Sequence, residues 1–379
     1  MPPLPLKSLL RTDIASSGTT SLPLILVLGA IATVAYADHR VVSISLIYLY
    51  ILPLTVGALF LRKELSYSLI AACILLHYFD SPRRIPLGIR ILHDLSALVC
   101  FTFVLYVIQK YLAQREALAK AIGKQRDELV RDVNLAAQVQ RLFLPTAKPA
   151  IGGMEIVGMM RPARGLSGDY YDYIPISDQK IQVVIADVSG KGIPAALLMS
   201  ATAAAVQLEA GHEQSMQEIV RRLNSGIHTV SDEGVRYVTL ILAQIDVKER
   251  RLHFINCGHN PALLLRCRTG GLSLLHSSGP PIGLFEGESY QLDSVELESG
   301  DLLVFYTDGV TEAEDASGEE FGMERLSDVV RRGSLCTAEQ LMRDIFESSA
   351  GFSGENGFHD DVTILVARCN FDDLPSQAS

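Results

Sequence analysis

Four long stretches without a charged side chain dominate the first 110 residues. These uncharged runs are Ile14–Ala37, Val41–Leu61, Leu65–Phe79 and Leu95–Gln109. A helix needs about 20 apolar residues to cross the core of a bilayer. The first two runs meet that length, whereas the last two have 15 residues each and must borrow flanking residues. The pattern predicts a membrane domain of about four transmembrane helices over residues 1–109, rather than the buried helices of a soluble domain.

A charged helical pattern follows from Lys110 to Leu144. Its apolar positions recur at spacings close to those of a coiled-coil seam with a stutter, and they are Leu118, Ile122, Leu129, Val133, Ala136 and Val139. Two interpretations of residues 110–144 stay open. The segment is either a signalling helix that forms a homodimer and passes motion from the membrane, or a plain amphipathic connector. Pro145 and Pro149 then end the helix and mark a domain boundary.

Short apolar runs of strand length recur after residue 150. They are Ile156–Met160, Ile181–Ala186, Tyr237–Ile245, Leu252–Asn256, Ala262–Arg266, Leu272–Leu275, Leu302–Tyr306 and Val362–Ala367. Several connections between them are too short for a crossover helix, so the sheets must be largely antiparallel. Helices are predicted at about 194–210, from the capping box Ser215-x-x-Glu218 onwards, at 323–332 and, with a Thr337-x-x-Gln340 cap, at 338–348. The fold class is therefore α+β, with sheets packed on each other and helices outside.

Charge divides the chain into two different halves. Residues 1–150 carry 16 Lys and Arg against 9 Asp and Glu, whereas residues 151–379 carry 17 against 34. Phosphate contacts need clustered basic residues, so the acidic half argues against nucleic acid as a partner. The six cysteines include no CxxC pair, which indicates buried thiols in a reducing compartment rather than a disulfide framework or a zinc site.

Four carboxylate motifs stand out in the acidic half. They are GDYYD (168–172), ADVSGKG (186–192), YTDG (306–309) and HDDVT (359–363). Asp187 and Asp308 each end a strand that is apolar on both faces, and Asp360 and Asp361 begin the last predicted strand. If that strand runs antiparallel to the other two, the carboxylates meet at one end of the sheets.

Gathered carboxylates repel one another unless cations lie between them. Without an obvious set of His or Cys ligands, the oxygen donors favour Mg²⁺ or Mn²⁺ over zinc. Two such ions can activate a bridging water and clamp a phosphoryl group. The motifs therefore indicate phosphoester hydrolysis, although each aspartate taken singly is also an ordinary turn or cap residue.

The ordered motifs resemble the SpoIIE/RsbU branch of the metal-dependent PPM serine/threonine phosphatases. The resemblance runs from about Val133 to Val366 and rests on LAAQVQRLFLP, SGDYYDY, ADVSGKGIPAALLMS, INCGHNPALLL, GPPIGL, GDLLVFYTDGVTEA and HDDVTILVAR. It implies a PPM sandwich of two antiparallel β-sheets flanked by α-helices over residues 145–370, followed by a tail at 371–379. It also implies two Mn²⁺ or Mg²⁺ ions and the hydrolysis of phosphoserine or phosphothreonine.

The resemblance assigns roles to five positions. Asp187 matches the metal-bridging aspartate, and the backbone carbonyl of Val188 joins the metal shell. Asp308 and Asp360 match the ligands of the two later motifs, and Asp169 matches the acidic residue of the first. Asp361 competes with Asp360, but neighbouring residues of a strand face opposite ways, so we select Asp360.

Other polar residues near these motifs carry two interpretations each. Lys191 either steers phosphate or lies in a solvated turn. His259 is a proton donor to the leaving serine oxygen or, as we favour, a hydrogen-bonded loop histidine. Arg161 and Arg164, just upstream of Asp169, are the nearest candidates for binding the substrate phosphate.

The combined prediction is a phosphatase anchored in the cytoplasmic membrane with its catalytic domain in the cytoplasm. A cleavage site at Ala35-Tyr36-Ala37 would leave three spans and the same orientation. By resemblance, the substrate is a phosphorylated STAS-type anti-sigma-factor antagonist. The alternatives are a non-catalytic membrane receptor whose phosphatase-like domain binds a partner, and a transporter built on His77, His93 and Asp94.

Overall fold

The computed structural model describes residues 21–40, 46–80, 86–149, 151–210, 215–231 and 236–371. The chain divides into two compact units, Met1–Glu128 and Leu129–Ser379. Most of the predicted tail at 371–379 and residues 14–20 of the first uncharged run lie outside the described residues.

The N-terminal unit is helical. Helix α1 is Ser21–Arg40, a 3₁₀ turn at Ile47–Tyr50 leads into α2 at Ile51–Phe60, α3 is Lys63–Asp80, and α4 is Leu87–Gln140. Residues from all four helices form one apolar core, including Val27, Leu54, Ile70 and Phe101. The predicted fourth span and the linker are parts of a single helix, since α4 continues without a break for 54 residues.

Two described helices are long and apolar enough to cross a membrane, Leu22–Arg40 and Leu87–Phe143. Within the described residues, the second predicted run contributes the shorter apolar helix Ile47–Phe60, and its residues 41–45 lie outside them. Helix α3, which includes Lys63, Glu64 and Asp80, does not meet the same criterion. The prediction of four spans is therefore not confirmed.

The C-terminal unit contains two five-stranded antiparallel sheets. The first sheet has the order β1-β10-β9-β6-β7 and the second has the order β2-β3-β4-β5-β8. Their strands are β1 Met154–Arg161, β2 Asp169–Ser177, β3 Lys180–Val188, β4 Val238–Asp246, β5 Arg251–Cys257, β6 Ala262–Arg266, β7 Gly271–Leu275, β8 Asp293–Glu296, β9 Leu302–Tyr306 and β10 Val362–Cys369.

Helices cover the outer face of each sheet. Helices α5 (Ile193–Glu209) and α6 (Met216–Val230) pack on the second sheet, and α8 (Gly322–Arg332) and α9 (Ala338–Ser353) pack on the first. A single helical turn, α7 at Asp308–Thr311, follows β9. The layered α+β sandwich predicted from the sequence is confirmed.

Strand β3 explains why several predicted strands are apolar on both faces. Val183 and Ile185 point into the core between the sheets, whereas Val184 and Ala186 pack against the covering helices. Since alternate side chains of a strand face opposite ways, this central strand buries apolar side chains on both of its faces.

The eight predicted strands are all present, and both predicted caps form. The Ser215 Oγ accepts a hydrogen bond from the Glu218 N–H at 3.3 Å, and the Thr337 Oγ1 accepts one from the Gln340 N–H at 3.2 Å. The sequence pattern did not indicate β2 or the short edge strand β8, which carry many polar residues.

Candidate active site

Asp169 begins β2 and lies directly opposite Asp187 on β3. The side chain of Asp169 is buried, and its Oδ2 accepts hydrogen bonds from Thr307 Oγ1 at 2.8 Å and Thr363 Oγ1 at 2.6 Å. Thr307 follows β9 and Thr363 lies in β10, so the carboxylate of the second sheet is held by hydroxyls of the first. Asp169 therefore joins the two sheets at the end where the four motifs meet.

Gly309 determines how closely the YTDG motif approaches the HDDVT motif. A Cβ added at Gly309 would lie 2.0 Å from the backbone oxygen of Asp361. Only glycine permits this contact of backbone with backbone. The Asp-Gly pair is consequently more than a turn, because its glycine allows Asp308 to lie beside the Asp360–Asp361 segment.

Asp360 and Asp361 have different partners. Asp361 Oδ1 accepts a hydrogen bond from the Ala163 N–H at 2.8 Å, and its Oδ2 accepts from Ser167 Oγ at 2.8 Å and from the Gly168 N–H at 2.7 Å. Asp361 thereby fixes the loop that leads into Asp169. Asp360 instead lies 2.6 Å from the Lys191 ammonium. This division of partners supports the choice of Asp360 as the ligand candidate.

The carboxyl groups raise one another's pKa values. Burial, followed by the negative charges of Asp308 and Asp360, raises the pKa of Asp187 to about 7. Burial and then the charge of Asp187 raise the pKa of Asp169 well above its usual range. The pKa of Asp308 is raised by burial and then by Asp360. The cluster thus has a deficit of positive charge at neutral pH.

Oxygen donors of this kind suit a hard divalent cation. A Cβ at Gly168 would lie 3.4 Å from the Val188 carbonyl oxygen and 3.7 Å from Asp187 Oδ1, so the glycine keeps a side chain away from both oxygens. In the described part of the chain, no three His, Cys, Asp or Glu side chains are already arranged closely enough to hold a metal ion. The oxygen donors fit Mn²⁺ or Mg²⁺ by their chemistry and by the negative charge that has to be balanced, not by a ligand set already in place.

Lys191 is not confined to a solvated turn. It lies in the loop between β3 and α5, where Gly190 and Gly192 have φ values of 96° and 80°. Its ammonium pairs with Asp360 and donates a 3.4 Å hydrogen bond to the His359 carbonyl oxygen, while the side chain stays 54% exposed. The positive charge of Lys191 therefore lies at the solvent-facing edge of the carboxylate cluster.

The two candidate arginines differ in position. The Arg161 guanidinium lies over the Phe346 ring, 5.4 Å from its centroid. Arg164 is close enough to Lys191 for its charge to oppose the raised pKa of that lysine. Arg164 therefore lies near Lys191, on the same side of the carboxylate cluster.

His259 is a buried neutral residue. Burial lowers its pKa to about 4. Its Nε2 lies 3.1 Å from the Tyr306 carbonyl oxygen, which can only accept, so Nε2 carries the proton and Nδ1 accepts from Thr239 Oγ1 at 2.8 Å. Thr239 pairs with Asp187 across β3 and β4. Both ring nitrogens are engaged within the fold, which supports the interpretation as a hydrogen-bonded loop histidine.

The tyrosines of GDYYD are packing residues. Tyr170 donates a 2.9 Å hydrogen bond to Asp172 Oδ2, which also accepts from Gln207 Nε2 at 3.1 Å, and Tyr171 donates a 3.0 Å bond to the Gly158 carbonyl oxygen. Asp172 therefore holds helix α5 against β2 and stays outside the Asp169 cluster.

The sequence reasoning missed the threonines that hold Asp169. In YTDG, Thr307 directly precedes Asp308, and in HDDVT, Thr363 follows Asp361 after one intervening residue. A threonine beside the motif aspartates in both motifs could have indicated these residues from the sequence. The structural role of Asp361 was also missed, because its partners lie almost 200 positions earlier in the chain.

Known proteins are similar to this chain in sequence and in fold. The family model described as "Stage II sporulation protein E (SpoIIE)" matches residues 177–370. The chain is 28% identical over 247 residues to "Phosphoserine phosphatase RsbU" of Bacillus subtilis, which covers 64% of this chain and 71% of that protein. It is 27% identical over 259 residues to "Protein IcfG" of Synechocystis, covering 62% of this chain and only 40% of that protein.

Among solved structures, the SiaA-PP2C domain of Pseudomonas aeruginosa superposes with a TM-score of 0.58 at 21% identity. The match covers 65% of this chain and 99% of that domain. At this identity the likeness speaks for the fold alone.

Proposed function

The chain belongs to the SpoIIE family of PPM-type phosphatases, and from this premise we propose that it is a metal-dependent protein serine/threonine phosphatase. One observation carries the proposal. Four motif aspartates from separate parts of the chain, Asp169, Asp187, Asp308 and Asp360, lie at one end of the sandwich, and burial together with neighbouring carboxylates raises the pKa values of the first three. A site with this deficit of positive charge suits divalent cations and a phosphoryl substrate.

In this proposal the four aspartates and the Val188 carbonyl hold two Mn²⁺ or Mg²⁺ ions. When bound, such ions supply an activated water and neutralise charge on the phosphoryl group. The protein's own contribution is positioning. Asp169 is fixed by Thr307 and Thr363. Lys191 and Arg164 supply positive charge where a substrate phosphate would approach from solvent.

We further propose that the protein is anchored in the cytoplasmic membrane with the phosphatase unit in the cytoplasm. The two long apolar helices support anchoring. The helices of the N-terminal unit also leave many large apolar side chains exposed, among them Leu22, Leu26, Phe79 and Phe103. Lipid would cover such side chains favourably, whereas water would not.

Helix α4 is proposed to form the homodimer contact and to transmit a signal. Leu118, Ile122 and Leu129 are 62%, 57% and 63% exposed, as an unpartnered seam requires. Near its end, Gln140 is buried, donates a 2.7 Å hydrogen bond to the Ser167 carbonyl oxygen and accepts one from the Ser167 N–H at 3.0 Å. Ser167 also contacts Asp361, so the end of the helix is connected to the loop before Asp169.

The proposed substrate is a phosphoserine or phosphothreonine on a STAS-type signalling protein. The resemblance to the RsbU branch suggests this class, and the relative named phosphoserine phosphatase supports the chemistry. The competing proposal, a receptor that only binds its partner, requires no turnover.

The test is phosphate release from phosphorylated STAS proteins by the full-length protein in detergent, with Mn²⁺ or with EDTA. We expect turnover that requires the metal, and a loss of at least about 100-fold in Asp187→Asn. Asp178→Asn is the matched control, because Asp178 is exposed in the turn at the far end of β3. A folded wild-type protein that binds the phosphoprotein without turnover would favour the receptor.

A further inference from the structure

Asp187 has a cross-strand neighbour on each side in the second sheet. Asp169 lies opposite it on β2, and Thr239 lies opposite it on β4. Asp169 is connected to the first sheet, because its Oδ2 accepts a 2.8 Å hydrogen bond from Thr307 Oγ1. Thr239 has a connection to the first sheet as well, and that connection passes through a buried histidine.

His259 supplies this second connection. It lies in the segment that crosses from β5 of the second sheet to β6 of the first, and it is only 4% exposed. Its Nδ1 lies 2.8 Å from Thr239 Oγ1, and its Nε2 lies 3.1 Å from the Tyr306 carbonyl oxygen. A carbonyl oxygen can only accept, so Nε2 donates to Tyr306 and the Thr239 hydroxyl donates to Nδ1. The imidazole therefore joins β4 to the end of β9.

The Thr239 hydroxyl has a second acceptor within reach. Its Oγ1 lies 3.3 Å from the Asp187 carbonyl oxygen, against 2.8 Å from the imidazole. A hydroxyl has a single hydrogen, so the shorter contact with His259 takes it. Thr239 is thus connected to Asp187 by strand pairing and to the first sheet by its side chain.

The loop around His259 holds the ring in place. The His259 N–H donates a 2.8 Å hydrogen bond to Asn256 Oδ1. Asn256 is fully buried, and its Nδ2 donates to the Leu275 carbonyl oxygen at 3.3 Å. Gly258 has a φ of 68°, and a Cβ there would lie 2.6 Å from Pro281 Cδ, so this position requires glycine. The imidazole is therefore fixed between the sheets from its backbone side as well.

Both connections end immediately before Asp308. Tyr306 is the last residue of β9, and Thr307 separates it from Asp308. Asp187 belongs to the second sheet and Asp308 follows a strand of the first, so strand pairing does not set the distance between them. Contacts between the sheets have to set it. The two neighbours of Asp187 are held by consecutive residues of the segment that leads to Asp308.

We propose that His259 is a positioning residue of the phosphatase site, which together with Thr239 fixes where Asp308 lies relative to Asp187. The proposal rests on the proposed function in one respect, namely that these carboxylates hold divalent ions. Ions that share ligands from both sheets need the two carboxylates at one spacing. Loss of the Thr239–His259 hydrogen bond should therefore weaken metal binding although neither residue is a ligand.

A neutral imidazole has the chemistry for this role. It offers one N–H donor and one acceptor nitrogen on a rigid ring, which match the Tyr306 carbonyl oxygen and the Thr239 hydroxyl. Burial lowers the pKa of His259 to about 4, so the acceptor nitrogen is free of a proton at neutral pH. An apolar side chain of similar size would fill the volume but could make neither hydrogen bond.

The test is Mn²⁺ binding to the full-length protein in detergent, followed by electron paramagnetic resonance. The sharp signal of free Mn²⁺ disappears on binding, and neighbouring bound ions give a broadened, coupled spectrum. Thr239→Val removes the hydroxyl and keeps the branched shape. We expect it to raise the Mn²⁺ dissociation constant about tenfold or more and to weaken the coupled spectrum. Thr239→Ser keeps the hydroxyl and should bind Mn²⁺ like the wild type.

A double-mutant cycle shows whether Thr239 acts through the imidazole. His259→Phe removes both ring hydrogen bonds, so adding Thr239→Val to it should change the dissociation constant by no more than about twofold. Additive effects would mean that Thr239 acts directly on Asp187, and they would overturn the role of His259. Should His259→Phe fail to fold, His259→Gln takes its place in the cycle.

Leu252→Ala is the control for a simple loss of stability. Leu252 is buried in the core between the sheets and pairs with Ile245, at the end of β4 far from Thr239. This variant should unfold at a lower urea concentration but bind Mn²⁺ like the wild type.

The outcomes separate this proposal from the proposed function. Equal Mn²⁺ affinities in wild type and Thr239→Val, or an equal loss of affinity in Leu252→Ala, would overturn the positioning role alone. A wild type that binds Mn²⁺ but has no turnover would count against the proposed function alone, because turnover is not measured in this experiment. A wild type that binds no Mn²⁺ would overturn both.

Discussion

Asp169 and Asp187 lie opposite each other on adjacent antiparallel strands, where burial and then the negative charge of Asp187 raise the pKa of the Asp169 carboxyl group well above its usual range. In the absence of a cation, this pair therefore favours a protonated state that neither residue would adopt in the unfolded chain.

The stability of the metal-free protein should depend on pH through this pair. The pKa of Asp187 is raised to about 7 from an ordinary 3.8, so the folded state retains a proton that the unfolded state loses. The stability is fully present below about pH 4 and falls as the pH rises towards 7. At 1.36 kcal/mol per pH unit, the loss reaches at most about 4 kcal/mol.

Urea unfolding of EDTA-treated protein, followed by tyrosine fluorescence, measures this decline. The chain suits that probe, since it has 13 Tyr and no Trp. In Asp187→Asn the decline between pH 5 and 7 should flatten, whereas Asp178→Asn should behave like the wild type. Equal slopes in wild type and Asp187→Asn would contradict the assignment.

Gly309→Ala should disrupt the site. The added Cβ would lie 2.0 Å from the Asp361 oxygen, so the Asp308 turn must move away from the Asp360–Asp361 segment. We expect destabilisation of about 3 kcal/mol or, if the turn moves without unfolding, a loss of Mn²⁺ affinity. Gly226→Ala is the control, because a Cβ there meets no atom within 4 Å and helix α6 should tolerate or gain from it. Calorimetry for both variants, each with and without Mn²⁺, distinguishes the two outcomes.

Lys191→Met should weaken the binding of phosphate. Inorganic phosphate is the product of the proposed reaction and should inhibit it. If Lys191 contributes to the phosphate site, loss of one charge-assisted contact should raise the inhibition constant for phosphate about tenfold. The Mn²⁺ concentration for half-maximal activity should not rise, because Asp360 loses a competing cation. Lys180→Met is the matched control, since Lys180 pairs with Asp246 at 2.9 Å outside the site. An unchanged inhibition constant would mean that Lys191 is a solvated turn residue that does not bind phosphate.

His259→Gln should cost stability without removing a limb of the pH–rate profile. The wild-type imidazole is neutral at physiological pH because burial lowers its pKa to about 4. Glutamine can keep one of the two hydrogen bonds, so we expect a loss of about 1–3 kcal/mol. A profile measured between pH 6 and 9 should keep its shape. If an acidic group titrating in that range vanished in the variant, His259 would be a proton donor after all.

The sheets were predictable because their central strands are buried on both faces. Ile181–Ala186 and Leu302–Tyr306 are continuous apolar runs, and runs of this length bounded by polar motifs favour strands. Strand β2 escaped prediction because its buried residues include Asp169 on one face and Asp172 on the other, whose partners lie on other elements. Local sequence does not reveal that such carboxylates are satisfied.

Contacts between segments that are far apart in the chain could not be predicted from the sequence. By sequence alone Asp361 is a second candidate ligand, but in the structure it accepts hydrogen bonds from the Ala163 and Gly168 N–H groups. Likewise, His77 Nε2 lies 3.7 Å from Asp38 Oδ2 and His77 Nδ1 lies 2.8 Å from Asp94 Oδ1, although Asp38 is 39 positions before His77 in the chain. Only the packing of three helices places them together.

The hydroxyl of Thr307 has a further consequence for the Asp169–Asp187 pair. It accepts a 2.9 Å hydrogen bond from the Thr363 N–H and donates its single hydrogen to Asp169 Oδ2. Thr363 Oγ1 donates to the same oxygen, so a proton on Asp169 must reside on Oδ1. A divalent ion that binds these carboxylates has to displace that proton. Metal loading of the folded protein near neutral pH should therefore acidify a weakly buffered solution.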